Sequence, residues 1–269
     1  MSRLKDFVAL LASLAYLAGL GCACLPAVAQ ASQTAQLKVW FSPYKLGGTT
    51  TIEAEVKLAN TNGGLPSPVT NFDTRLPPKL ELIASTLGLA ICEPAALVAT
   101  GLEGCSANAR VGTGSAQVDV PFGPEIVNEA ANVTAFLGPP LGENVEVLLF
   151  TEGQTPVFAQ SVFPGVLLLG SGQLGESLNT EVPVTPTLPG APDASVTSMH
   201  LSLGPAHLTY FKQVHGRTVR YRPRGISLPS TCPSGGFLFL TALTFQDGTN
   251  LTVSSTVPCP PARRHSRRH

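Results

Sequence analysis

GFLFLTALTFQ (236–246), Asp247-Gly248, and NLTVSSTV (250–257) place two extended, apolar-rich runs on either side of an Asp-Gly pair. Asp and Gly accept the positive φ angles of tight hairpin turns, so the stretch predicts two antiparallel strands. Cys232 and Cys259 stand just outside its two ends. A bridge between them would close the hairpin's open mouth. A second stretch gives the same reading in another form. In TTIEAEVKL (50–58), Ile52, Ala54, Val56 and Leu58 alternate with Glu53, Glu55 and Lys57. That period of two predicts a strand with one dry and one wet face.

Outward from these anchors the pattern repeats. Strands are expected at Leu37–Tyr44, Lys79–Ile83, Ser115–Pro121, Ala131–Leu137 and Val145–Thr151. Further strands follow at Val157–Phe163, Val166–Leu169, Ser177–Val182 and Ser195–Leu203, with a hairpin of Thr209–Val214 and Arg217–Tyr221 around His215-Gly216. Asn60–Pro68 reads as a loop and Pro139-Pro140-Leu141-Gly142 as a turn. The 26 Gly and 24 Pro suit turns and interrupt helices. One short helix is predicted: Pro94 suits its first turn, Ala95 to Thr100 continue it, and Gly101 ends it. No repeat of 20–50 residues is visible, which excludes solenoids and propellers. The expected fold is an all-β, antiparallel β-sandwich with one short helix, a single domain over 37–259. A split near 121–130 is the alternative.

Residues 1–29 run basic, apolar, then small: Arg3 and Lys5, Phe7 to Gly21, and Ala27-Val28-Ala29. This is the order of a secretory signal peptide cut before Gln30. An uncleaved membrane anchor is the alternative, since the apolar stretch approaches the ~20 residues that span a bilayer. Cys22 and Cys24 lack the aliphatic residue of a lipidation site. Residues 30–36 read as a flexible mature N-terminus and 260–269 as a basic disordered tail.

Cys92, Cys105, Cys232 and Cys259 follow the export segment, and an even number in an exported chain predicts two disulfides. Closing short loops costs least entropy, which favours Cys92–Cys105 and Cys232–Cys259. A four-cysteine zinc site needs closer pairs than these.

Charge is unevenly spread. Residues 30–211 carry a net −9 and residues 212–269 a net +8. Arg220, Arg222 and Arg224, with Tyr210 and Tyr221 nearby, form a candidate contact for an anionic polymer, because guanidinium forks match phosphate and carboxylate. The competing reading has the row tying down acidic strands of the same chain. Nucleic acid is not expected as a partner, since the basic residues are confined to one end. His200, His207 and His215 lack metal-ligand spacing. No G-x-S-x-G elbow or phosphate loop occurs. No catalytic residue, cofactor or metal is predicted.

Leu65-Pro66-Ser67-Pro68, Leu76-Pro77-Pro78, Cys105-Ser106-Ala107-Asn108 with Val111-Gly112-Thr113-Gly114, Tyr221-Arg222-Pro223-Arg224-Gly225-Ile226, and Cys232-Pro233-Ser234-Gly235-Gly236-Phe237 through Pro258-Cys259-Pro260 together carry a resemblance. They resemble a group of exported β-rich proteins of high-GC Gram-positive bacteria. The resemblance implies a secreted or envelope-associated β domain and transfers no site residues, because the group has no assigned activity. The expected function is a non-enzymatic, structural or adhesive protein outside the cytoplasm, with a wall polymer or another envelope protein as partner. A carbohydrate or wall-polymer binding module is the first alternative, and a secreted hydrolase with a carboxylate pair the second. Membrane contact is expected only if the N-terminal segment stays uncleaved.

Overall fold

The computed structural model describes residues 33–82, 90–153, 158–168 and 175–260. Residues 1–29, expected to be an export segment, and residues 261–269 of the expected tail lie outside the described residues. The strands are β1 (Gln33–Ser42), β2 (Thr49–Asn60), β3 (Val69–Arg75), β4 (Glu81–Leu82), β5 (Arg110–Phe122), β6 (Glu125–Leu141), β7 (Asn144–Gly153) and β8 (Ala159–Leu168). There follow β9 (Ser177–Glu181), β10 (Ser195–Leu203), β11 (Tyr210–Val214), β12 (Arg217–Tyr221), β13 (Ile226–Ser227), β14 (Phe237–Phe245) and β15 (Asn250–Val257). The predicted helix, α1, spans Pro94–Thr100, with Pro94 in its first turn and Gly101 as its C-cap.

The chain is all-β and antiparallel, as expected, with one short α-helix among the described residues and both expected disulfides. The main sheet runs β15-β14-β3-β9-β8-β7-β6-β5-β10-β2, and β1 pairs with β2 on its other edge. The two halves face each other in the manner of a sandwich. They are also continuous, and the outermost strands meet: the Val39 amide of β1 donates to Ser255 Oγ of β15 at 3.0 Å. The result is a nearly closed barrel, which hides the edges that an open sheet leaves unpaired.

Hairpin chemistry follows the turn residues. At His215-Gly216 both φ angles are positive (50° and 77°), as a two-residue turn between β11 and β12 requires. At Asp247-Gly248 the loop is longer. Gly248 has φ 83° and the Thr249 amide donates to Asp247 Oδ1 at 2.9 Å. The two disulfides join Cys92 to Cys105 and Cys232 to Cys259, with Cα atoms 5.2 and 5.8 Å apart.

Several boundaries differ from expectation. Residues 33–36 are not loose but open β1. Gln33 is buried, its Nε2 donates to Asp247 Oδ2 at 2.9 Å and its Oε1 accepts from the Ser67 amide at 3.1 Å. Strand β3 was not expected; its polar Thr70, Asn71, Asp73 and Thr74 mask a ladder that β14 and β9 stabilise from both sides. Of the strand expected at Lys79–Ile83, Glu81–Leu82 is a strand while Lys79 and Leu80 are not, and Ile83 lies outside the described residues. The Pro139-Pro140 pair lies inside β6, where the register slips between Leu137 and Pro140 and pairing then resumes. Residues 121–130 form the end of β5, its turn and the start of β6, within one compact unit.

The two ends of the barrel are built differently. One is plugged by Leu80, Leu208, Tyr210, Ile226 and Leu228, packed beneath Phe41, Phe237 and Phe239. Phe41 meets Phe237 edge-on at 5.2 Å. On the outer wall, Leu97 of α1 and the Cys92–Cys105 bridge cover Phe136, Leu148 and Phe150. Strand β7 is therefore apolar on both faces, which explains its continuous Leu148-Leu149-Phe150 run.

Candidate functional site

The other half of the barrel is hollow. A cavity of about 550 Å³ is lined by residues from eleven strands and by the segment that joins β9 to β10. Close-packed interiors hold few voids larger than a water molecule, so this space is not a packing defect. It falls within the range of small-molecule pockets, roughly 300–1,000 Å³.

The strand register explains the hollow. Ala116 of β5 sits opposite Ala131 of β6, Ala131 opposite Gly153 of β7, and Gly153 opposite Ala159 of β8. All four line the cavity. This row of minimal side chains withdraws the wall over four adjacent strands. Above and below it lie Val118, Val120, Val133, Leu149 and Phe163. The lining is thus overwhelmingly apolar, with scattered hydroxyls such as Thr151, Ser161, Thr180 and Thr241.

One ionisable side chain lines it among the described residues: Glu129 of β6, opposite Val118. Glu129 is 6% exposed, and its Oε1 has no hydrogen-bond partner. Burial pushes its carboxyl above the ordinary range. Gly153 makes room for it, since a Cβ there would collide with Oε1.

The cavity's outer end is crossed by residues 182–194, which must span the barrel because β9 and β10 are not neighbours. The Val182 amide donates to Thr70 O at 2.9 Å, the Ala194 amide to Thr185 O at 3.0 Å, and Thr187 Oγ1 to Pro192 O at 2.7 Å. Pro183 to Leu188 line the space from this side. Phe122, Ile126, Phe158 and Leu188 are exposed at or near the same end of the barrel.

The residues expected to form an anion contact are divided by the fold. Arg220, Arg222 and Arg224 are exposed, and none makes an ion pair among the described residues. The Arg220 guanidinium lies 5.8 Å from the Phe211 ring centroid, and Lys212 Nζ 5.1 Å from that of Tyr221. Tyr210 does not join them. It is fully buried, its hydroxyl donates to Arg110 O at 2.6 Å, and it meets the half-buried Tyr221 edge-on. Its place in the alternation turns it into the plug, away from the arginines. Strand β12 ends at Tyr221, so Arg222 and Arg224 belong to the segment beyond it.

On the barrel's outside, His200 Nε2 lies 3.1 Å from Glu53 Oε2 and the ring stacks on Trp40. Ser202 Oγ donates to the other Glu53 oxygen at 3.0 Å. The serine proton is directed at the carboxylate rather than the imidazole, so this trio does not activate a nucleophile. Among the described residues no group of three or more His, Cys, Asp or Glu could hold a metal ion, and no helix is long and apolar enough to cross a membrane.

No protein-family model, curated protein or solved structure matches the chain. The cavity was not read from the sequence. Ala116, Ala131, Gly153 and Ala159 are scattered over 44 positions of chain, and only the pairing register brings them into one row.

Proposed function

We propose that the protein is a binding protein that holds an apolar small molecule inside its barrel and works outside the cytoplasm, secreted or at the cell envelope. The cavity of about 550 Å³, apolar from strand to strand, carries the reading. A barrel that leaves its lumen unfilled is a container for a ligand. The wall supports the same view. Inward positions are Val, Leu, Ile, Ala and Phe, while β2 and β5 turn Glu53, Glu55, Lys57, Ser115 and Gln117 outward. A membrane-spanning barrel has the opposite polarity.

Binding without catalysis is favoured because acid–base chemistry on a glycoside needs two carboxyl groups. The lumen offers Glu129 alone among the described residues. The paired disulfides fit an oxidising compartment, and the export segment is in keeping with that location.

The test is titration of the mature chain with Nile red, an uncharged dye that brightens in apolar surroundings. Saturable one-site binding is expected. Ala131→Trp should abolish it, by filling the lumen from the middle of the small-residue row, while circular dichroism stays unchanged. A dye that does not bind, or that binds the folded Trp variant equally well, would defeat the proposal.

A second reading rests on the exposed Arg220, Arg222 and Arg224, which have no ion-pair partners among the described residues. They could hold an anionic wall polymer at the plugged end, giving an adhesive role beside the ligand site.

A further inference from the structure

The lumen contains one feature that an apolar container does not need. Glu129 faces the cavity from a wall of Val118, Ala131 and Gly153, and its Oε1 has no partner. A buried carboxylate is costly unless it is paired or hydrogen-bonded. No cationic side chain lines the cavity among the described residues. Glycine at position 153 leaves space for this carboxylate where any side chain would collide with it.

We infer that Glu129 is the head-group acceptor of the cavity, and that the ligand is an amphiphile whose apolar body fills the lumen and whose cationic or hydroxyl head donates a hydrogen bond to the free carboxyl oxygen. An ammonium head satisfies both needs of a buried carboxylate, a counter-charge and a donor. A hydroxyl supplies the donor alone. A carboxylate or phosphate head would set two like charges side by side in a medium of low dielectric, so fatty acids and phospholipid anions are disfavoured. The position agrees. Glu129 is the fifth residue of β6, toward the crossed end of the barrel rather than the plug. The head would lie near the way in and the tail would run inward past Val133, Leu149 and Phe163.

This inference rests on the cavity being a ligand site, and one experiment separates the two. Decylamine, decanol, methyl decanoate and decanoate, which share an alkyl chain, are used to displace Nile red at pH 7.5. The expected order of potency is amine, alcohol, ester, then carboxylate, with the amine at least tenfold ahead of the carboxylate. Glu129→Gln, nearly isosteric, should bring amine and carboxylate within about threefold of each other while the ester is unaffected. Glu129→Leu should flatten the series in the same way and guards against an effect peculiar to the amide. Decanoate matching or exceeding decylamine on the unaltered chain would overturn the assignment and leave the cavity reading intact. So would an amine preference that survives in folded Glu129→Gln. If Nile red does not enter the unaltered protein, the cavity reading fails and the head-group assignment fails with it.

Discussion

The plugged end and the hollow end of the barrel share strands, alternation and mostly the same residue types, yet one is a solid core and the other a container. At the plug, β1 and β14 contribute Phe41, Phe237 and Phe239, the connections after β3 and β10 supply Leu80 and Leu208, and the first residues of β11 and β13 supply Tyr210 and Ile226. At the hollow end, the corresponding inward places hold Ala116, Ala131, Gly153 and Ala159, and the β9–β10 connection crosses without descending. The difference teaches that alternation decides which face is dry, while side-chain size across neighbouring strands decides whether the dry space is filled.

The largest test of that contrast is a pair of truncations. Phe237→Ala at the plug should cost about 3–5 kcal/mol, because a large ring with no exposure is removed from packed surroundings. At roughly 2–4 °C per kcal/mol for a domain of this size, the melting temperature should fall by about 6–20 °C. Val118→Ala in the lumen wall should cost less than about 1.5 kcal/mol, since the methyls removed already border open space. Thermal denaturation of the two variants side by side is the measurement. Equal losses would mean that the hollow end is as tightly packed as the plug.

The disulfides sharpen the same asymmetry, because both serve the plugged half: Cys232–Cys259 clips β14 to the end of β15, and the Cys92 amide donates to Leu137 O of β6. A joint Cys232→Ser and Cys259→Ser change should remove roughly 3–4 kcal/mol on the chain-entropy account of a loop of 27 residues. Urea unfolding would measure it. Dye binding should survive at temperatures where the variant remains folded, since the bridge lies away from the lumen. Binding lost before unfolding would show that the two ends are mechanically coupled.

How much of this was legible in sequence follows from the same distinction. Ile52, Ala54, Val56 and Leu58 announced a strand and its dry face. Pro94 and Gly101 bracketed the helix, and the cysteine spacings matched the bridges. These are local signals, carried by residues close in the chain. Strand β3 escaped because Asn71, Asp73 and Thr74 have weak strand preference, and its two neighbours in the sheet stabilise it. Tyr210 was grouped with the arginines because proximity in sequence says nothing about which face a strand turns inward. The cavity was least visible. A row such as Ala131 opposite Gly153 exists only once the register is set, and Glu129 looked like any of the chain's twelve glutamates.

Glu129 also gives a pH-dependent distinction between the ends. Burial raises its carboxyl, so the folded state holds the proton more tightly than the unfolded chain, whose glutamates titrate near ~4.3. Below that value both states are protonated and burial carries no ionisation penalty. As pH rises through the folded value, the native protein must hold an ionised, buried carboxylate and loses stability. Glu129→Gln should therefore melt higher than the unaltered chain at pH 7.5, and the gap should close near pH 4. A gap that is absent at pH 7.5 would show that the carboxylate is satisfied in solution, and one equally large at pH 4 would show that the difference does not come from ionisation. Glu146, raised by burial and then by Glu93, should act in the same sense.

The smallest expected effect on stability belongs to the arginines outside the plug. Arg220 and Arg222 are exposed and form no ion pair among the described residues, and Arg220 contributes a contact with Phe211 at 5.8 Å. Changing both to Ala should cost less than about 1 kcal/mol, the scale of exposed cation–π contacts and ordinary surface substitutions. If the plugged end is an adhesive face, the same change should weaken binding to a purified anionic wall polymer severalfold, most clearly at low ionic strength where exposed charges are least screened. The basic residues at 263, 264, 267 and 268 can bind polyanions without specificity, so the comparison needs a chain ending at Pro260. Nile red affinity serves as the internal control, because the lumen lies at the other end and should not sense these side chains. Polymer binding that is unchanged in the double variant would remove the adhesive role from the plugged end, leaving it a stopper that holds the barrel together while the hollow end does the binding. A melting point several degrees lower would instead show that the arginines tie the hairpin down, and the division of labour between the two ends would then rest on packing alone.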